Sequence, residues 1–396
     1  MNTPGCGSLT VMMAAAGLSI EQAAEMLGVQ PGLLQPFAVV DPFHDCLPLE
    51  GFLCHKTDHR YGAIVITRVA DEPCPQLIHA TPKLKYPFDR DGRFRFPPIA
   101  RAHVYEKLDG TNVLAYRYRD AAGVERTTFK LRLHPVLRNG TFGGFLDLWR
   151  ELLERHPEAA ALPARNGCSI SFELYGGRNP HLIAYDEPLT LAVLFGVEPA
   201  TARLIAPFQL ALGDVPAAPL VAELVAGEDP VARFQKLRGE LEARNVRISE
   251  EQLSGTEGAV WCVTEPSGLV SLWKCKPESI EEIHWATGIN KQAVLATCWN
   301  ALETADELCF DTVRPLLLEE YEPDDVDAFR PHVEECIAAV RAELAFRERV
   351  LDAYRAIRAQ GLSFPADKAA VMRLLAPRFT KGEMRRVYAA LAAATG

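Results

Sequence analysis

Tyr105-Glu106-Lys107-Leu108-Asp109-Gly110-Thr111-Asn112 lies between two apolar, β-rich runs, so the spacing predicts a strand over His103 to Tyr105, a turn carrying Lys107, and a second strand over Val113 to Tyr118. A lysine in such a turn is a nucleophile only if its ammonium form loses a proton, which desolvation and neighbouring cations arrange. Gly110 lets a backbone approach a bound nucleotide closely. Taken alone, a Lys-X-Asp-Gly match recurs by chance in about one chain in ten of this length, and its plain meaning is an ordinary strand-to-turn lysine. Four further elements follow in one order: Phe172-Glu173-Leu174, Leu191-Ala192-Val193-Leu194-Phe195, Glu257-Gly258-Ala259-Val260 and Trp273-Lys274-Cys275-Lys276. Together they are specific.

Working outward, Leu77 to Pro277 reads as short β-branched and aromatic runs broken by Gly, Pro and Asp, with helices over Gly143 to His156 and Pro230 to Ala243. Ser169 to Tyr175, Leu189 to Val197, Gly258 to Val263 and Val270 to Lys276 are the clearest further strands. This is an α+β pattern with antiparallel sheets. After Pro277 the pattern becomes amphipathic and helical: Glu278 to Trp285, Lys291 to Cys309, Val333 to Ala359, and two short helices from Ala366 to the end. Before it, residues 1–78 form an N-terminal unit, in which Ser19 signals a helix cap. The rhythm of Gly17 to Val29 also suits the first half of a helix-turn-helix, but Gln30 to Pro36 is bracketed by prolines and offers little basic surface for a recognition helix. Tyr61 to Val69 reads as a strand. The expected division is 1–78, 79–277 and 278–396.

The 396 residues suffice for two or three domains, and 48% hydrophobic content is ordinary for a globular chain. No apolar run approaches the roughly 18 residues of a membrane span, and residues 1–18 lack the basic start of a signal peptide, so a cytoplasmic protein is expected. Ten cysteines without a Cys-X-X-Cys pair argue against a zinc ribbon or a disulfide framework. Cys46, Cys54, His55, His59 and Cys74 form the single metal-capable cluster, with no recognised ligand spacing. The net charge of −10 is segregated: Ala80 to Gly140 has 13 basic against 6 acidic residues, whereas Ala301 to Val350 has 5 against 14. A basic stretch around Lys107 suits triphosphate and polynucleotide phosphates, although a solvated face has the same composition. Lys368 to Arg386 carries six basic residues against Glu383 alone, and is either an RNA-contacting or a solvated helix face.

From about Thr81-Pro82-Lys83 to Lys276, some 200 residues, the chain resembles the covalent nucleotidyltransferases, and most closely the ATP-dependent RNA ligases. Glu106 to Asn112 looks like the nucleophile motif of the phage nick-sealing type, whereas Glu173-Leu174-Tyr175-Gly176-Gly177-Arg178-Asn179-Pro180-His181 is closer to the archaeal type. The resemblance implies an ATP-grasp-like, antiparallel-sheet adenylyltransferase domain with a small N-terminal unit and an all-helical C-terminal domain. It also implies a three-step reaction. Lys107 attacks ATP and releases pyrophosphate, AMP passes to an RNA 5′-phosphate, and a 3′-hydroxyl then displaces AMP.

The same resemblance implies roles. Glu106, Asn112, Arg132, Glu173, Phe195, Lys274 and Lys276 would bind the nucleotide, and Glu257 would hold Mg²⁺ or Mn²⁺, directly or through water. Lys274 and Lys276, two apart on one strand, face the same side, reach the α-phosphate and depress the pKa of Lys107. Glu173 would accept from the ribose hydroxyls, Phe195 would stack on adenine unless it is simply core, and Arg132, or failing it Arg138, would clasp ribose or phosphates. Asn112 would orient the metal's water shell or the phosphates.

DNA ligases and capping enzymes of the superfamily continue after the paired lysines into an OB barrel; this chain continues into helices. RNA with 5′-phosphate and 3′-hydroxyl ends is therefore the expected partner, in an RNA-repair setting, with a homodimer through the helical domain. The competing readings are a DNA ligase, a capping-type guanylyltransferase, and a non-catalytic RNA-binding protein that keeps the fold.

Overall fold

The computed structural model describes residues 18–395 except 57, 90–91, 140–143, 180, 249–252, 281–290, 306, 319–320, 322 and 365. Two compact units result: the chain up to residue 290 with Leu302–Thr304, and Lys291–Ala301 with everything from Ala305.

The first unit opens with helix α1 (Ile20–Leu27). Ser19 and Gln22 form the expected capping box, and Gly28 ends the helix with φ +62°. No recognition helix follows. Pro31–Leu33 makes a single turn and the chain enters strand β1 (Leu34–Asp41), which pairs successively with β2 (Leu47–Cys54), β3 (Ile64–Val69) and β4 (Glu72–Ile78). Only β3 was legible in the sequence. Pro36 on β1, and Pro73 and Pro75 on β4, argue against strands, but β1 and β4 are sheet edges, where a missing N–H is tolerated.

This first sheet is not a free-standing module. Ala23, Ala24 and Leu27 of α1 cover one face with Val65 and Cys54, whereas Leu49, Leu53, Ile64 and Ile66 pack on the other against Tyr116, Tyr118 and Val136 from beyond residue 78. Two buried polar groups hold the junction. Asp41 accepts hydrogen bonds from Tyr118 (2.8 Å), Thr128 (2.9 Å) and the Phe43 amide (2.9 Å). The Lys130 ammonium donates to the carbonyls of Gly62 (3.0 Å), Leu131 (2.7 Å) and Arg132 (2.9 Å). Burial, with a smaller push from Arg132, lowers the Lys130 pKa to about 7. The expected boundary at 78 marks the end of β4 and not a break in packing.

Strands β5 (Arg101–Glu106), β6 (Thr111–Arg119), β7 (Glu125–Lys130), β8 (Ser169–Tyr175), β9 (Thr190–Val197), β10 (Leu204–Ile205), β11 (Leu220–Val225), β12 (Val246–Arg247), β13 (Leu253–Ser254), β14 (Ala259–Thr264) and β15 (Val270–Cys275) complete the unit. A second sheet has the order β10-β9-β8-β6-β7 and a third the order β11-β5-β14-β15, with antiparallel neighbours throughout. Trp149 and Leu152 of helix α2 (Phe145–Arg155) pack with Phe172 and Val113 on one face of the second sheet. Phe234, Leu237 and Leu241 of helix α3 (Pro230–Glu242) pack with Trp261 and Val104 on one face of the third. The remaining faces meet in a seam built by Tyr105, Leu108, Cys262, Val270 and Leu272 against Ala192, Phe195 and Val197. Because consecutive strand residues alternate in direction, β5 supplies Tyr105 to the seam and Ala102 and Val104 to the α3 core, whereas β6 divides its side chains between the α2 core (Val113, Ala115) and the first sheet (Tyr116, Tyr118). The turn joining them crosses from the third sheet to the second, which places Lys107 at the end of the seam.

The second unit is helical: α4 (Lys291–Thr304, whose last three residues belong with the first unit), α5 (Phe310–Leu317), α6 (Arg330–Arg358), α7 (Lys368–Leu375) and α8 (Met384–Thr395). Phe346, Val350, Tyr354 and Ile357 of α6 share a core with Val371, Leu375, Val387 and Leu391 of α7 and α8. The helix expected over Glu278 to Trp285 falls largely outside the described residues. Among the described residues no group of His, Cys, Asp and Glu is arranged to hold a metal, so the Cys46, Cys54, His55, His59 and Cys74 stretch makes no such site, and no helix is long and apolar enough to cross a membrane.

Candidate active site

Lys107 follows β5, and its amide donates to the Gly258 carbonyl at 2.9 Å. That bond continues the β5–β14 register, in which Glu106 lies opposite Ala259, and so places residue 257 beside residue 107. Gly258 fits because its φ of +145° suits glycine and because a Cβ there would lie 2.3 Å from the Cys275 carbonyl. The Lys107 ammonium is in direct contact with Glu257 Oε2. Lys276 Nζ reaches the other oxygen, Oε1, at 3.2 Å. One carboxylate thus bridges two lysines. Burial alone would raise the Glu257 pKa, but the charges and hydrogen bonds of Lys107 and Lys276 outweigh it and hold the group down to about 2.

Glu173 faces the same cluster from the second sheet, opposite Asn112 on β6 and Ala192 on β9. Its environment acts in the other direction. Burial, reinforced by Glu257 and Asp109 and only partly offset by Lys107 and the Gly110 amide, pushes it up to about 8. Asp109 is raised too, by burial first and Glu257 second, against the opposing effects of His181, the Ile183 amide and Lys107. Near neutral pH the cluster therefore holds one firmly ionised carboxylate, Glu257, and one, Glu173, whose surroundings favour the neutral acid, with Asp109 shifted in the same direction as Glu173.

Lys274 and Lys276 divide their tasks. Lys274, opposite Val260 in the β14–β15 register, places its ammonium 4.4 Å from the centre of the Tyr86 ring, while Lys276 reaches Glu257. The same-face geometry expected from their spacing holds for a strand, but β15 ends at Cys275 and Lys276 is already outside it.

The other expected residues each have a defined place in the fold. Glu106 pairs with Arg244 at 3.1 Å. Asn112 spends its amide hydrogens across the sheet, on Ser171 Oγ (2.9 Å) and the Phe172 carbonyl (3.1 Å), so this end of the group cross-links β6 to β8. Phe195 is buried in the seam. Arg132 lies in the turn after β7, with its carbonyl accepting from Lys130. Arg138 follows Leu137, whose amide bonds Phe129 at 2.6 Å. Gly110 does permit a close approach, but of β8: a Cβ there would lie 2.3 Å from the Leu174 carbonyl.

Sequence reasoning missed Tyr86, Tyr185, Arg244 and Asn245. Asn245 accepts from the Thr256 amide (2.8 Å) and donates to the Thr256 carbonyl and Ser279 Oγ, both at 3.1 Å, steadying the residues on either side of Glu257 and Lys276. None lies in a motif, and each acts through contacts distant in sequence.

No family model and no curated protein matches the chain. Among solved structures it is similar to an archaeal ATP-dependent RNA ligase, at 18% identity over 85% of this chain and 83% of that one, with a TM-score of 0.42. A putative ATP-dependent DNA ligase from Aquifex aeolicus is 15% identical over 92% and 89%, also with a TM-score of 0.42. A mutant of Naegleria gruberi RNA ligase with ATP and Mn is 13% identical over 47% and 52%, with a TM-score of 0.31. These likenesses are remote, and the chemistry of this chain is read from the Lys107, Glu257 and Lys276 cluster itself.

Proposed function

We propose that the protein is an ATP-dependent RNA ligase that joins 5′-phosphate and 3′-hydroxyl ends through AMP carried on Lys107. The observation that carries this is the convergence, at one end of the seam, of Lys107, Glu257 and Lys276 in a single ion-paired cluster with Glu173 opposite. In the first step Lys107 Nζ attacks the α-phosphorus of ATP. A P–N bond forms, the bond to the β-phosphate oxygen breaks and pyrophosphate leaves, while the amine gives up its protons to solvent. Lys276, beside Glu257, and Lys274, lying over Tyr86, are the candidate cations to offset the charge that builds on the phosphoryl oxygens. Glu173, neutral near pH 7, both donates to and accepts from a ribose hydroxyl. Phe195 and the seam residues around it form the apolar floor on which the base rests, with Arg132 the candidate clasp for ribose or phosphate.

The donor set suits Mg²⁺ or Mn²⁺, because a hard cation of this size takes one or two carboxylates and fills its shell with water and phosphate oxygens, and Glu257 is the single carboxylate here held firmly anionic. When bound, such an ion supplies positive charge to the triphosphate. Glu257, if engaged by such an ion, would no longer be committed to its ion pair with Lys107.

RNA is favoured over DNA because, among the described residues, no strand follows Cys275; helices occupy the place of a barrel. The acidic helical unit suits homodimerisation, while Arg373, Arg378, Lys381 and Arg385 are exposed on its α7–α8 end. The test is intact mass after incubation with ATP and Mg²⁺, beside GTP and Lys107→Ala controls. Gain of one AMP from ATP alone, absent in the variant, is expected; no gain with any nucleotide, from a preparation shown to start without AMP, overturns the proposal.

A further inference from the structure

The segment after β8 makes a set of contacts that none of the nucleotide-binding roles uses. Tyr185 Oη accepts the Asp109 amide at 2.8 Å, two residues from the nucleophile. The Ile183 amide donates to Asp109 Oδ2 at 2.8 Å. Asn179, buried, donates to Thr111 Oγ1 (3.1 Å) and to the Leu174 carbonyl (2.8 Å). The Lys107 turn is therefore held at Asp109 and Thr111 by one short stretch of chain.

That stretch also grips the Glu257 side of the site. Ile183 bridges Leu253 in parallel: the Ala184 amide donates to the Leu253 carbonyl (2.8 Å) and the Leu253 amide to the Leu182 carbonyl (2.9 Å). Ile183, Leu253 and Ile280 close a small apolar cluster with Leu182 and Tyr185. The Tyr185 ring is steadied edge-on by Tyr175, with centroids 4.9 Å apart. From Leu253 the chain runs four residues to Glu257, past the Asn245 anchor at Thr256.

We infer that Asn179 and His181–Tyr185 form a clasp that fixes the Lys107 turn relative to the Glu257 arm, with Tyr185 as a positioning residue that touches neither the nucleotide nor the reacting atoms. The clasp rests on the ligase reading for its catalytic consequence, and on hydrogen bonds alone for its mechanical one. The physical reason for a rate effect is geometric: in-line attack tolerates little error, and a displacement of about 1 Å at the nucleophile costs on the order of a hundredfold. Tyr185→Phe keeps the ring and removes only the acceptor for the Asp109 amide, so a partial loosening and a fall of about tenfold are expected.

Two measurements on the full chain test this. In single-turnover AMP attachment, Tyr185→Phe is expected to lower the rate constant about tenfold at saturating ATP, with the fraction of protein labelled and the apparent ATP affinity unchanged within about twofold; Asn179→Ala behaves similarly. A merely structural role lowers the labelled fraction and leaves the rate constant alone. In amide hydrogen exchange, the variant is expected to open residues 107–111 and 253–258 together. A wild-type rate constant in Tyr185→Phe, or opening confined to 107–111, overturns the clasp. If the unaltered protein takes up no AMP, the ligase proposal falls and exchange alone decides: joint opening supports the mechanical coupling, confined opening refutes it.

Discussion

Glu257 and Glu173 are the same residue type, both buried, both beside Lys107, and they are driven to opposite protonation states. Glu257 sits at the end of the third sheet, where Lys107 and Lys276 reach both of its oxygens. Glu173 sits on the second sheet, facing two other acids with Lys107 as its main compensation. Burial penalises the charge of each, so the outcome is set by how many cations arrive within contact distance. A carboxylate and a neutral carboxyl can thus be produced from one residue type by the partners that two sheets present.

Removing the shared partner has the largest consequence. Lys107→Ala is expected to abolish AMP attachment altogether, read by intact mass, since no other amine occupies the turn. Next, Glu257→Gln removes the anionic ligand and the bridge between the lysines, and a loss of about a thousandfold in the single-turnover rate is expected. Glu173→Gln preserves a group able to donate and accept, so it should cost only about tenfold under the same assay. Equal losses in the two variants would break the contrast.

Stability against pH sharpens the same contrast. The Glu257 pKa is depressed in the fold, so its contribution is present above the unfolded value near 4.5 and is lost as pH falls toward about 2. The Glu173 pKa is raised, so its contribution is complete below about 4.5 and is lost as pH climbs through about 8. Denaturant titrations should show the acid-side loss flattened in Glu257→Gln and the alkaline-side loss flattened in Glu173→Gln, by at most about 1.4 kcal/mol per pH unit within each window. The smallest effect on chemistry is expected from Asp41→Ala, far from the cluster in the chain: about 3 kcal/mol of stability is lost by stranding Tyr118 and Thr128, with the rate constant for AMP attachment unchanged.

Much of this was legible along the chain because the relevant signals are local. Alternation fixed β8, β9, β14 and β15 to within a residue or two of their ends, and helical spacing located α2, α3, α6, α7 and α8. Motif residues Lys107, Glu173, Glu257 and Lys276 meet in space. Strands β1 and β4 were not legible, because prolines read as breakers until the sheet shows which strands are edges. Asn112 and Lys274 fit their motifs, yet the first spends its amide hydrogens on β8 and the second rests over Tyr86.

By itself the sequence determined the candidate side chains, since an amine, a carboxylate and paired cations are properties of residue type and short spacing. The tertiary structure decided what state those side chains are in. Protonation depends on burial and on charges within a few ångströms, and the partners concerned come from positions 107 to 276. It also decided that the first sheet shares a core with β6, and that Ile183 and Tyr185 meet both the Lys107 turn and the chain leading to Glu257, because packing and hydrogen bonding are fixed by distance in space and leave no periodic trace in the chain.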